Sequence, residues 1–306
     1  MSRIDNPNNL CGVICINKPQ DFTSFDVIAI TRRAAGTRKI GHGGTLDPMA
    51  TGVLPIFIGR AAKTADLLPS LDKRYVAGFK LGVTSETEDI WGKLLTENDK
   101  AVSRDELLAV VNSMQGDIMQ TPPMYSAVKV GGKKLYELAR QGIEIERAAR
   151  PITVHSIELL SYDEKGRTGV FDIHCSKGTY IRTIISDIGA KLGTGGVMTS
   201  LQRTLSNGFT LEDCTELEAV RSMTPDDIEK LIIPTERLFS GYEKITLNDK
   251  QRKMFMNGVV LDTARMNISY PENTDLSVYD SAGVFLGTAY IDSEAGIRIK
   301  YLNVLN

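Results

Sequence analysis

The sequence predicts an α+β fold: a mixed, mostly antiparallel central sheet flanked by helices, then a small β-rich module. Three observations lead there. Strand-like and helix-like segments mix without the regular alternation of a doubly wound fold. The chain has 306 residues, about twice the usual length of one domain. Beyond residue 242 the texture changes to short strands broken by turns.

Taken in order, "GVICINKP" reads as a short strand closed by Pro19, and "FTSFDVIAITRRAAG" as a helix with Thr23 or Ser24 as cap and Gly36 as stop. "RYVAGFKLG" is a strand. "SRDELLAVVNSMQG" is a helix, with a capping box from Ser103 and Glu106, a buried face of Leu107, Val110, Val111 and Met114, and Gly116 at its end. "PITVHSIELLSY" and "TGVFDIHCS" are strands; the second alternates Phe171, Ile173 and Cys175 against Asp172 and His174. "TYIRTIISDIGAKLG" repeats apolar residues at helical spacing up to Gly193. The "SETED" run is expected in a solvated loop, and residues 211–239, with eight acidic and three basic side chains, in solvated helices. The C-terminal module offers a short helix, "DKQRKMFMNG", then the strands "LSVYD", "VFLGTAYID" and "IRIKYLNVL".

Composition narrows the function. Formal net charge is -2, with 42% hydrophobic and 24% charged residues, ordinary for a globular protein. Four scattered cysteines (Cys11, Cys15, Cys175, Cys214) fit small buried hydrophobes rather than a disulfide framework. With only His42, His155 and His174 available, no metal site is expected. The first residues lack the apolar core of a signal peptide, and no apolar run reaches membrane-spanning length, so a cytoplasmic protein is expected.

"GHGGTLDPMATGVLPIFIGRAAK" raises the chemical question. It matches neither the dinucleotide fingerprint nor the P-loop. It fits a structural turn, or a loop whose glycines let a flat ligand or polynucleotide backbone approach closely. The apolar run behind it would pin the backbone of Asp47. Local charge indicates the ligand: "TRRAAGTRKIGHGG" has four basic residues and no acid, and residues 124–150 carry six Lys or Arg against three Glu. Residues 174–203 carry four against one. Each run alone reads as a solvated face, but three in a net-acidic chain suit phosphates bound on one side.

These residues carry a resemblance. "GHGGTLDPMATGVLPIFIGRAAK" resembles the catalytic motif of the TruB family, the bacterial tRNA pseudouridine-55 synthases. "INKPQDFTS", "DKRYVAGFKLGVTSETEDIWG", "MYSAVKVGGKKLYELARQG" and "HCSKGTYIRTIISDIG" are similar to further family blocks in the same order. The β-rich tail resembles a PUA-type RNA-binding module more weakly. "GGTLD" stands where many members have "TGALD". The resemblance implies a pseudouridine synthase fold with a catalytic domain over 1–240, an RNA-gripping insertion at about 124–150 and a PUA-like domain over 245–306.

It also implies isomerisation of uridine 55 in the tRNA T-arm, with base flipping and with no metal or cofactor. Asp47 would be the nucleophile, attacking either the sugar's anomeric carbon or the base. A nucleophile must hold a near-attack position, which an Asp-Pro turn restricts. A docked base strips water from the carboxylate, and a cation at roughly 4 Å with an effective dielectric near 20 offsets this by about 4 kcal/mol. Arg182 is the implied partner. Tyr75 would stack on the uracil, worth about 1–3 kcal/mol, similar to the few kcal/mol of unstacking. His42 would fill the gap left by the base or contact neighbouring nucleotides. Lys18 with Pro19 would support the tyrosine strand, Tyr180 and Leu201 would line the pocket, and Lys129, Lys133 and Lys134 would follow phosphates. Expected partners are tRNA alone, with a monomeric chain and no obligatory protein partner. A retired scaffold would show Asn or Ser at 47, a guide-dependent relative would bring added terminal sequence, and a glycosidase usually needs two carboxylates.

Overall fold

The computed structural model describes residues 10–266, 268–294 and 296–303. The chain divides into two compact units: Met1–Asp47, Leu54–Leu71 and Glu212–Asn306 form the first, and Pro48–Val53 and Asp72–Leu211 the second.

Strand β1 (Gly12–Lys18) buries all but one of its residues and ends before Pro19, which has no N–H for a ladder. Helix α1 (Ser24–Ala34) opens on a capping box: Asp26 N–H donates to Thr23 Oγ1 at 3.1 Å and Thr23 N–H donates to the Asp26 carboxylate at 2.8 Å. Thr23, not Ser24, is the cap. Strand β2 (Ile40–His42) pairs antiparallel with β3 (Thr51–Ile58), a continuously buried run. Strand β4 (Lys73–Leu81) leads through a short ribbon, β5 (Val83–Ser85) and β6 (Leu94–Glu97), to α2 (Arg104–Asn112), whose Ser103–Glu106 capping box forms as the spacing requires.

There follow β7 (Gly116–Gln120), a hairpin of β8 (Lys129–Val130) and β9 (Lys133–Lys134), and the single turn α3 (Leu135–Ala139). Long antiparallel strands β10 (Arg150–Asp163) and β11 (Thr168–Cys175) precede α4 (Ile181–Lys191) and β12 (Gly196–Ser206). Short pieces come next: β13 (Phe209–Thr210), β14 (Cys214–Glu216), α5 (Leu217–Arg221) and α6 (Pro225–Leu231). The chain closes with β15 (Glu243–Leu247), α7 (Asp249–Met256), α8 (Thr263–Met266), β16 (Asp275–Asp280), β17 (Phe285–Asp292) and β18 (Gly296–Leu302).

The large sheet has ten strands, ordered β14-β1-β3-β12-β4-β11-β10-β7, with β2 on β3 and β13 on β12. It is mixed: β1–β14 and β3–β12 run parallel, and β12–β4, β4–β11, β11–β10 and β10–β7 antiparallel. The expected fold class holds.

In the second unit, Phe79 stacks on Phe171 with centroids 4.2 Å apart, filling the space beneath the sheet. Gly52 lets β3 meet β12 there. Its φ is +101°, and a Cβ would sit 2.2 Å from the Arg203 carbonyl oxygen.

In the first unit, β15 to β18 form a separate four-stranded sheet over a core that includes Leu247, Phe255, Leu276, Val278 and Ile297. Among the described residues, no helix is long and apolar enough to cross a membrane.

Candidate active site

The first unit carries Lys18, His42 and Asp47. Ser24, at the start of α1, is buried and bonded to Leu46 in both directions: Leu46 N–H donates to its Oγ at 2.9 Å, and its hydroxyl donates to the Leu46 carbonyl at 3.1 Å. Gly43 N–H donates to the Pro55 carbonyl at 2.9 Å. Asp47 therefore follows a backbone tied at two places and precedes Pro48, whose ring fixes its own φ and restricts the residue before it. Its side chain is half-buried. His42 shares this loop; its Nδ1 accepts from Gly44 N–H at 3.2 Å, and its ring meets Phe25 edge-on at 6.1 Å. Lys18 is fully buried, and its ammonium donates to the carbonyls of Pro19 (2.9 Å) and Phe22 (2.6 Å), which fixes the turn between β1 and α1.

The second unit carries the remaining residues. Tyr75 lies mid-strand in β4, between Ile173 of β11 and Arg203 of β12, and is 8% exposed. Leu201 pairs with Ala77, two residues further along, so Tyr75 and Leu201 share one face. Arg182 stands in the first turn of α4 and is 5% exposed. Its guanidinium donates to the carbonyls of Thr87 (2.7 Å) and Tyr125 (3.0 Å) and lies 3.9 Å from the Asp89 carboxylate. Two donors aimed at fixed backbone oxygens set the plane of the fork. Tyr180, just before α4, is held through its backbone: its N–H donates to Gln120 Oε1 at 2.8 Å, and Gln120 Nε2 donates to its carbonyl at 3.1 Å.

The "SETED" run corrects the sequence expectation. It is not a solvated loop. Thr87 receives Arg182, Glu88 accepts from the Thr183 hydroxyl at 2.6 Å, and Asp89 accepts from Thr87 Oγ1 and from the N–H groups of Trp91 and Gly92. Burial raises the Glu88 carboxyl above its ordinary range, against the lowering effect of Thr183 and Arg182. Glu88 and Asp89 thus accept from protein donors, whereas Glu86 is exposed.

Lys129, Lys133 and Lys134 form the β8–β9 hairpin, with Lys129 opposite Lys134 and Val130 opposite Lys133. The Gly131–Gly132 turn has φ of +58° and +84°, the two positive values that a tight hairpin of this twist requires. Lys129 and Lys133 are exposed. Lys134 lies over the Tyr136 ring at 5.4 Å, and the Arg140 guanidinium is 5.5 Å from the same ring.

Several supporting residues escape sequence reasoning: Ser24, Asp89, Gln120, Lys73 and Arg203. Arg203 is fully buried, with Nε donating to the Val53 carbonyl at 2.7 Å. Lys73 donates to Asn207 Oδ1 at 2.8 Å, and burial, with Arg203 next, pulls its ammonium down to about 7. A lone basic residue inside a strand carries no periodic signal of its own. Next to Lys73, Asp72 joins His155 and His174, their ligand atoms within 4.8 Å of one another, and the three could hold a metal ion.

Residues 32–181 match the model for the TruB family pseudouridylate synthase N-terminal domain, and residues 182–240 that for the tRNA pseudouridylate synthase B C-terminal domain. The chain is similar to a Clostridium perfringens tRNA pseudouridine synthase B, 44% identical over 95% of this chain and 98% of that one. The Clostridium tetani protein of the same name is 42% identical over 95% and 99%, and that of Alkaliphilus oremlandii 44% over 96% and 97%. Among solved structures, a Cbf5-Nop10-Gar1 complex gives a TM-score of 0.71 at 25% identity, covering 95% of this chain and 84% of that one. An archaeal box H/ACA sRNP Nop10-Cbf5 complex gives 0.68 at 24%, covering 95% and 85%, a likeness of fold alone.

A mixed sheet of this order, matched over residues 32–240 by these models, defines a pseudouridine synthase, an isomerase. The identity to relatives across nearly the whole chain narrows this further. The chain belongs to the TruB family.

Proposed function

We propose that the protein isomerises uridine 55 in the T-arm of tRNA to pseudouridine, with the base flipped out and Asp47 as nucleophile. The observation that carries this reading is the tethered Asp47 loop. Ser24 and Leu46 hold the backbone one residue before the carboxylate, and Pro48 restricts it from behind. A near-attack geometry needs that restraint, because a displacement of 1 Å can cost about 10²-fold in rate.

Tyr75 stacks on the target uracil and Arg182 offsets the cost of desolvating the carboxylate. His42 fills the space of the everted base or contacts its neighbours. Tyr180 and Leu201 line the pocket. Lys18 fixes the turn before α1 that carries Ser24. Lys129, Lys133 and Lys134 track phosphates of the T-arm, whose recognition depends on RNA shape and a splayed loop. Support for the substrate comes from the relatives' own names.

The chain divides functionally into a catalytic part over 1–240 and a PUA-like RNA-binding part over 245–306. The family models end at residue 240, and a second sheet with its own core follows. The enzyme works in the cytoplasm as a monomer on tRNA, without an obligatory protein partner, metal or cofactor. Incubating it with unmodified tRNA transcript and mapping pseudouridine tests this directly: modification at position 55 alone is expected, and a different site or none refutes the assignment.

A further inference from the structure

We propose that Asp72, His155 and His174 form a binding site for one divalent metal ion of the zinc or cobalt(II) class, clipping three strands of the second unit together. The three residues come from three neighbouring stretches: Asp72 immediately before β4, His174 on β11 and His155 on β10. Nothing in their sequence spacing announces a site, since the sheet alone brings them together.

The local backbone is shaped for it. Val154 pairs with Cys175 and Ser156 pairs with His174, so His155 is the extra residue of a β-bulge. A bulge disrupts the ladder and re-aims the side chain it carries. Here it brings two imidazoles side by side, with centroids 4.7 Å apart and planes tilted by 46°. His155 Nε2 lies 3.3 Å from Asp72 Oδ2. Two ligands on a tetrahedral ion with bonds of about 2.0–2.1 Å stand roughly 3.3 Å apart, so this pair already spans one edge of such a site. One ligand atom from each residue lies within 4.8 Å of the others. Asp72 is anchored through its carbonyl, which accepts from Asn207 N–H at 3.3 Å.

The donor set names the ion class. Two imidazoles and one carboxylate suit zinc and its first-row neighbours, whereas magnesium and calcium prefer oxygen alone. A hydrogen bond between His155 and Asp72 accounts for that pair but gives no role to the second imidazole beside it. His155 and Asp72 are each 36% exposed at the side chain, so an ion can reach them from solvent. A bound ion ties Asp72, three residues before Tyr75 and just ahead of β4, to β11 and β10.

The test uses untagged full-length protein, stripped with chelator and titrated with Co²⁺ and then Zn²⁺. One Co²⁺ per chain is expected, with visible absorption typical of nitrogen and oxygen ligands and no thiolate charge-transfer band, and Zn²⁺ should displace it. The double variant His155→Ala/His174→Ala should lose affinity at least tenfold and lose the rise in Tm that Zn²⁺ gives the wild type. His155→Gln, a single change at an exposed position, should weaken binding alone. Unchanged affinity in both variants, a thiolate spectrum, or no saturable one-to-one binding would overturn the proposal. Pseudouridine formation by the double variant verifies that it is folded.

Discussion

Ser24 is a small residue with a large assignment. Its hydroxyl closes two hydrogen bonds with the backbone of Leu46, both buried, one residue from Asp47. Replacing it by Ala leaves a buried N–H and a buried carbonyl without these partners, which costs about 1–3 kcal/mol. Ser24→Ala is therefore expected to lower kcat while tRNA affinity stays near wild type, as single-turnover rates and filter binding would show. A parallel loss of affinity would mean that the loop serves binding instead. Gly52 is the harsher case. With φ of +101° and the Arg203 carbonyl where a Cβ would go, Gly52→Ala should depress Tm sharply, read by thermal melting. At this scale the sequence pointed to Asp47 through its motif, and to Ser24 only as a helix-cap alternative. The Leu46 contact spans 22 residues and leaves no local pattern.

Elements with local signals were readable. Thr23 or Ser24 as cap placed one helix start to within a residue, the Ser103–Glu106 box fixed another, and the alternation in "TGVFDIHCS" fixed β11. β12 was not, because a central strand between β3 and β4 buries Arg203 and Ser206 among its apolar residues and breaks the expected period. The β8–β9 hairpin was legible only as basic charge around two glycines. Its lysines carry an element-scale prediction. Lys133→Glu with Lys134→Glu should weaken tRNA binding and flatten its salt dependence by about 0.9 in log–log slope for each phosphate contact removed. An unchanged slope would show that the hairpin is not part of the electrostatic footprint.

For the whole molecule, the C-terminal sheet is joined to the rest of its unit through Phe239. That ring is fully buried, with Tyr242, Phe285 and Tyr301 at centroid distances of 5.3, 6.2 and 6.4 Å. The Ser277 hydroxyl donates to the Phe239 carbonyl at 3.0 Å. Composition marked a change of texture near residue 242 but could not reveal this packing, which joins residues far apart in sequence. Phe239→Ala should cost about 3–5 kcal/mol, and ending the chain at residue 240 should lower Tm as well as tRNA affinity. Denaturant melts of both would show it. A truncated chain as stable as the full one would mean the sheet is a detachable appendage.

The isomerisation argued above needs the Asp47 carboxylate, and the most direct measurement isolates it. Purified Asp47→Asn, incubated with tRNA transcript under single-turnover conditions and assayed for binding in parallel, should form no pseudouridine while holding the RNA with near wild-type affinity. Isomerisation by that variant at a rate comparable to wild type would contradict the account.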